Sequence, residues 1–223
     1  MYHPHLKAHY RFESTQANLG IDASGNGNHG TVHGATPGIG QFGGGADFVT
    51  NDYIDLGDSD DFSFTDGVND KPFSISFWIK FNSISNQWII NKRGSGTEEW
   101  QIAYFNGALV FWLFGQGSSV VHIQRNYTFT PDTNKRYHVF CTYDGSGLNT
   151  GLNIFLDAAP VGIVGGGGGY LHMNNTSSPV NIGRTWFSTG FYLNGSLDEV
   201  KIFNKDYNNL IDVNLLRIGQ NPR

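Results

Sequence analysis

Phe73-Ser74-Ile75-Ser76-Phe77-Trp78-Ile79-Lys80-Phe81 places large apolar residues at the odd positions and Ser, Ser, Trp and Lys at the even ones. A period of two belongs to a β-strand, whose successive side chains point to opposite faces, so these five apolar residues share one core-facing side. The pattern returns at Tyr137, Val139, Cys141 and Tyr143. It returns again at Trp100, Ile102 and Tyr104, then Asn106-Gly107, then Leu109, Phe111 and Leu113. Asn-Gly between two alternating runs predicts a two-residue hairpin, because both turn positions need positive φ. Ile154 and Leu156 mark a further strand. In the last strand, either Val200 and Ile202 or Lys201 and Phe203 line one face. Helical periodicity is confined to the C-terminal region, where Leu210, Val213, Asn214 and Arg217 would share one side of a short helix capped by Asp206. Many short strands and almost no helix predict an all-β fold, a two-sheet antiparallel sandwich with a short C-terminal helical segment.

Working outward, 223 residues suit one large β domain, and residues 1–223 read as such. Hydrophobic residues at 39% and aromatics at 14% supply a core, while 15% charged residues are too few for a disordered or coiled-coil chain. A net charge of −5 argues against a nucleic-acid binder, whose affinity rests on phosphate contacts. The lone Cys141 excludes an intramolecular disulfide framework and a Cys-rich zinc site. No apolar run approaches the roughly 20 residues of a membrane helix. The opening MYHPHLKAHYRF holds no apolar stretch of the secretory-leader kind, yet an extracellular or virion-surface setting suits the composition best. Gly165 to Gly169 predict a flexible loop.

Several short motifs occur in a fixed order. Asp22 to Gly30 read DASGNGNHG, followed by Gly40-Gln41-Phe42-Gly43-Gly44, Ala46-Asp47-Phe48 and Asp52-Tyr53-Ile54-Asp55-Leu56-Gly57. Then come the Phe73 strand, Tyr137-His138-Val139, Asn181-Ile182-Gly183 and Gly195-Ser196-Leu197-Asp198-Glu199-Val200. This ordered set resembles the laminin-G-like, concanavalin A-like jelly-roll superfamily over about residues 6 to 218. The resemblance implies two antiparallel sheets, with the strand near Lys7 to Phe12 paired to that near Ser196 to Phe203. Asp157-Ala158-Ala159 departs from it, since relatives often have Asp-Gly there.

The resemblance also implies a structural Ca²⁺ at the Asp22–Gly30 loop. Asp22 and Asp198 would be its carboxylate ligands, with Asn26 or Asn28 adding amide or carbonyl oxygens. Ca²⁺ takes six to eight oxygens and accepts carbonyls readily. The same residues could equally form a self-bonded turn, the Asp22 carboxylate capping backbone N–H groups.

Glycosidase chemistry needs two facing carboxylates. The four glutamates, Glu13, Glu98, Glu99 and Glu199, fall in no i, i+2 or i+4 set, and no Gly-x-Ser-x-Gly elbow is present. A non-catalytic role follows, with a glycan as the expected ligand. Sugar sites combine flat aromatic rings with amide and carboxylate hydrogen-bonding groups. The candidates are Trp112, Trp186, Tyr104 and Arg125, beside Trp88, Trp100, Asn106 and Gln116. Trp112 is out of phase with Leu109, Phe111 and Leu113, so it should point away from the core, as should Trp78 within its own strand. The alternative is a structural surface protein of a phage or virus particle, acting through contacts with a virion or cell-surface protein. A hydrolase or lyase is a third reading.

Overall fold

The run Phe73–Phe81 becomes β6, the middle strand of one sheet, and all five of its odd-numbered side chains are fully buried. Burying each such side chain contributes roughly 1.5–3 kcal/mol of transfer free energy. The computed structural model describes residues 3–13, 18–115, 118–166, 168–185 and 190–222. Among them the first sheet runs in the order β13 (Ala159–Val161), β12 (Leu152–Leu156), β11 (Arg136–Tyr143), β6, β16 (Gly195–Phe203), β4 (Gly44–Phe48) and β3 (Thr36–Ile39). β1 (Leu6–Tyr10) pairs antiparallel with β16, so the first and last strands lie side by side as expected. The second sheet runs β14 (Ile163–Gly166), β10 (Ser118–Thr128), β9 (Ala108–Gly115), β8 (Thr97–Phe105), β7 (Gln87–Gly94), β15 (Val180–Ile182), β5 (Tyr53–Asp55) and β2 (Thr31–His33). All pairings are antiparallel, and one continuous core drawn from both sheets lies between them.

Turn chemistry is as the residues dictate. Asn106 and Gly107 have φ of 50° and 74° and join Phe105 to Ala108 directly. Asp157 and Ala158 close β12 and β13 with φ of 51° and 71°, a left-handed conformation that alanine adopts only at a cost. Glu199, at φ 52°, forms a bulge in β16. The bulge inverts the strand's phase, so Leu197, Val200 and Ile202 all reach the main core while Phe203 faces the other side. Of the two alternatives for that strand, Val200 and Ile202 are the pair that faces the main core, and Phe203 belongs to the cluster on the other side.

Three expectations are corrected. The C-terminal helix, α1 (Leu210–Arg217), is capped by Asn209, whose side chain accepts from the Asp212 N–H, and not by Asp206. Tyr207, 1% exposed, anchors the chain just after Asp206, and its N–H donates to Ser74 Oγ, so the helix begins beyond it. The buried face of α1 is Val213 and Leu216, packed on Phe140, Phe155 and Phe203, whereas Leu210 is exposed. Finally, Gly165 and Gly166 are strand, paired with Gln124 and Ile123 at the free edge of β10.

Candidate functional site

Strands β8, β9 and β10 send alternate side chains to opposite faces. Trp100, Ile102, Tyr104, Leu109, Phe111, Leu113 and Ile123 enter the core. The opposite face carries Gln101, Ala103 and Phe105 of β8, Ala108, Val110 and Trp112 of β9, and Gln124, Asn126 and Thr128 of β10. Cross-strand register sets Trp112 between Gln101 and Gln124, and Val110 between Ala103 and Asn126. Asn126 in turn faces Ile163 on β14. Because Ala108 and Val110 are small and Phe105, Trp112 and Ile163 are large, a groove of about 710 Å³ opens between them, with Asn106, Tyr127 and Gly162 at its margins. That volume lies in the range of small-ligand sites, roughly 300–1,000 Å³.

Aromatic contacts fix one wall. Phe105 stacks on Trp88, with centroids 5.5 Å apart and rings 10° from parallel, and meets Trp112 edge-on. Phe191, half exposed, stands perpendicular to both Phe105 and Trp88. The Arg93 guanidinium lies 4.8 Å from the Phe114 ring centroid and donates to Gln101 Oε1 at 2.6 Å. Three polar atoms of this face, Trp88 Nε1, Gln101 Nε2 and Asn126 Oδ1, are buried and make no hydrogen bond among the described residues. Buried polar atoms are normally paired, so each of these three carries unmet hydrogen-bonding capacity inside the protein.

The structure sorts the residues expected to bind ligand. Trp112 lines the groove, half buried, as its phase requires, and Asn106 sits at the groove's turn. Tyr104 does not belong there: it is 3% exposed in the core, its hydroxyl donating to Phe129 O. Its phase is that of Trp100 and Ile102, which places all three inward. Arg125 shares the inward phase of Ile123 and spends its guanidinium on Val161 O and Leu152 O. Trp100 is fully buried and donates to Phe62 O. Trp186 and Gln116 lie outside the described residues. Phe105, Gln124 and Asn126 were not singled out from the sequence. Phe105 was reachable, since the Asn106-Gly107 turn sets the β8–β9 register. Gln124 and Asn126 were not, because β10 carries little apolar alternation to mark its phase.

The expected calcium ligands are not brought together. Asp22 Oδ1 accepts from the His9 and Ser24 N–H groups, and Oδ2 from Ser24 Oγ and the Asn28 N–H. Asn26 and Asn28 turn their amide N–H₂ groups inward onto Leu6 O and Lys7 O. Lys7 itself pairs with Asp61 beside the loop, at 2.8 Å. A carboxylate ringed by donors next to an ammonium is not the bare oxygen cage that Ca²⁺ requires. Asp198 serves another loop, accepting the Gln41 and Phe42 N–H groups at Oδ2. The residues present therefore do not fit the ion, and the self-bonded turn describes the loop. No cluster of three or more His, Cys, Asp or Glu side chains suited to a metal occurs among the described residues.

Several buried charged groups are bound to one another. Lys92 is fully buried between Asp58 and Glu99, and burial raises the Glu99 pKa. Asp58 and Asp61 are each paired with a lysine, Lys92 and Lys7 respectively. Burial pushes Asp198 up to about 6 despite the two N–H groups it accepts. Glu199 is also buried, but His9 and Lys201 outweigh that and hold it at about 2. Ser76 Oγ lies 2.9 Å from His138 Nε2, yet both are sealed under the first sheet's outer covering and the other ring nitrogen has no partner. Burial holds that imidazole near pKa 3, neutral and out of reach of a substrate. Among the described residues that line the groove there is no carboxylate or histidine.

The sandwich and its second-sheet groove define a concanavalin A-like domain. The model of the concanavalin A-like lectin/glucanases superfamily matches residues 48–209, and the chain belongs to that family. No curated protein sequence matches it. Among solved structures, the binding domain of Paraclostridial Mosquitocidal Protein 1 superposes with a TM-score of 0.72 at 17% identity, over 95% of this chain and 51% of that one. The binding domain of botulinum neurotoxin serotype D/C VPI 5993 gives 0.71 at 16%, over 96% and 52%. This chain thus spans about half the length of those toxin domains. Domain 4 of AbnA, a GH43 extracellular arabinanase from Geobacillus stearothermophilus solved with arabinotriose, gives 0.66 at 17%, over 94% and 96%.

Proposed function

We propose that this chain is a non-catalytic binding module whose ligand is a carbohydrate held in the second-sheet groove. The observation that carries the reading is the Trp112 ring lining the groove beside the amide side chains of Gln124 and Asn126. An aromatic face receives the apolar C–H side of a sugar, and the amides receive its hydroxyls. The arabinanase domain supports the reading, since a domain of the same fold and nearly the same extent was solved with an arabinose trisaccharide. An extracellular setting accords with it, and the described residues lining the groove include no carboxylate pair for glycosidic cleavage. The test is a glycan-array screen followed by calorimetry, with arabinotriose in the panel and the Trp112→Ala protein alongside. Binding that Trp112→Ala abolishes supports the module; a blank array with folded protein refutes it.

A second reading has its own observation. Leu210, Ile211 and Ile218 expose an apolar side of α1 to solvent, each more than half accessible. Contact with a virion or cell-surface protein would use that face and leave the groove free.

A further inference from the structure

We infer that the groove selects uncharged oligosaccharides and rejects those bearing carboxylates or sulfates. The inference rests on the carbohydrate reading and narrows it. The described residues lining the groove are aromatic, aliphatic, amide, hydroxyl or glycine, and none is Lys, Arg, His, Asp or Glu. The basic groups nearest the groove lie outside its lining: His122, two residues before Gln124 on the same face of β10, packs against the Phe114 ring. Arg93 is held by Gln101 Oε1, by Glu98 at 3.8 Å and by the Phe114 ring. Arg125 is on the core-facing side of β10, bound to two carbonyl oxygens. Arg184 lies beyond β7, over the Tyr53 ring and 3.8 Å from Asp55.

Sites that select carboxylate or sulfate groups meet them with guanidinium or ammonium donors in paired geometry. A uronate or sialate entering this groove would lose hydration and gain no counter-charge, and the chain's net charge of −5 would oppose its approach. Neutral hydroxyls meet the opposite situation. Asn106, Gln124, Asn126 and Thr128 line the groove with uncharged amide and hydroxyl groups, which can both donate to and accept from sugar hydroxyls. The lining comes from four adjacent strands, β8, β9, β10 and β14. Three inter-strand gaps at about 4.8 Å make a span of about 14 Å, longer than one sugar ring, so the ligand lies across the strands as a short oligosaccharide.

The experiment is an array carrying neutral glycans beside uronate-containing, sialylated and sulfated ones, with affinities of the positives measured at low and high salt. The expected result is binding confined to neutral oligosaccharides, changing less than about twofold between roughly 0.05 and 0.5 M NaCl and weakened roughly tenfold or more by Trp112→Ala. Binding to acidic glycans, or affinity that falls with salt, overturns the inference and leaves the carbohydrate module standing. Neutral binding that Trp112→Ala leaves unchanged removes the groove as the site and the inference with it. A blank array with folded protein overturns both.

Discussion

Phe105 and Trp112 meet at 73° with their ring centroids 6.1 Å apart, across the hairpin that Asn106-Gly107 closes. An edge-to-face pair of this kind is worth about 0.5–1.5 kcal/mol beyond simple burial. It fixes the orientation of the Trp112 indole, because Phe105 is itself braced by Trp88. Phe105→Leu keeps an apolar side chain but removes the ring. It should weaken oligosaccharide binding by about 2- to 10-fold in calorimetry, while the melting temperature falls by only a few degrees. Unchanged affinity would show that Trp112 needs no support from its neighbour.

Tyr104 provides the control on the same strand. Its hydroxyl donates to Phe129 O from the core side of the sheet, away from the groove. Tyr104→Phe should therefore cost about 0.5–1.5 kcal/mol of stability in denaturant titration and leave ligand affinity unchanged. Loss of binding in this variant with stability intact would mean that the ligand reaches the inward side of β8.

Strand parity was legible wherever apolar residues alternate, and the Asn-Gly turn fixed the β8–β9 register without any structure. That parity is sufficient to place Trp112 outward and Tyr104 inward. The bulge at Glu199 was not legible, since one extra residue leaves no mark in composition yet inverts every side chain beyond it. The outward face of β10 was hidden for a different reason. Gln124, Asn126 and Thr128 gain meaning only from Trp112, Val110 and Ala108 opposite them, and pairing is a long-range fact. The Asp22 loop shows how one composition serves two ends: Asp, Ser and Asn oxygens suit a cation, and they suit backbone N–H groups equally well. Which one wins depends on where the β1 backbone passes, as the His9 N–H and Lys7 O contacts show.

The same loop gives a prediction about metal. With four donors already on Asp22 and Asp198 engaged elsewhere, folding should owe nothing to calcium. Melting temperatures in excess Ca²⁺ and in EDTA should agree within a degree or so, because only a ligand of the native state shifts the transition. A clear rise with Ca²⁺ would restore the metal site that the sequence resemblance implies.

Ala158 occupies a left-handed position, φ 71°, in the two-residue turn between β12 and β13. A Cβ there costs roughly 1–2 kcal/mol relative to glycine, partly offset by the greater freedom glycine has when unfolded. Its methyl also packs against the cluster beneath α1. The net expectation for Ala158→Gly is a gain of about 0.5–1 kcal/mol, or roughly 1–4 °C in melting temperature. A loss of stability would mean that the methyl contact outweighs the backbone strain.

Asp198 makes stability depend on pH in a direction opposite to that of an ordinary surface carboxylate. Burial raises its pKa from 3.8 to about 6, so the folded state prefers the protonated form. The stabilisation from protonation is complete below about pH 4 and is lost as pH rises through about 6. Two neighbours titrate differently. Glu199, held at about 2, contributes stability above its unfolded value of 4.5 that disappears as pH falls toward 2. His138, buried and neutral, favours the folded state above 6.5 and loses that advantage as pH falls toward 3. The wild-type curve therefore mixes opposing slopes, and the difference between wild type and Asp198→Asn isolates the single group. The amide is nearly isosteric with the protonated acid, and its oxygen can still accept the Gln41 and Phe42 N–H groups. The two proteins should melt together near pH 4. Above pH 7 the Asp198→Asn protein should be the more stable by roughly 1–3 kcal/mol. A variant less stable than wild type at pH 8 would show that the ionised carboxylate, through its two N–H bonds, is the form the fold requires.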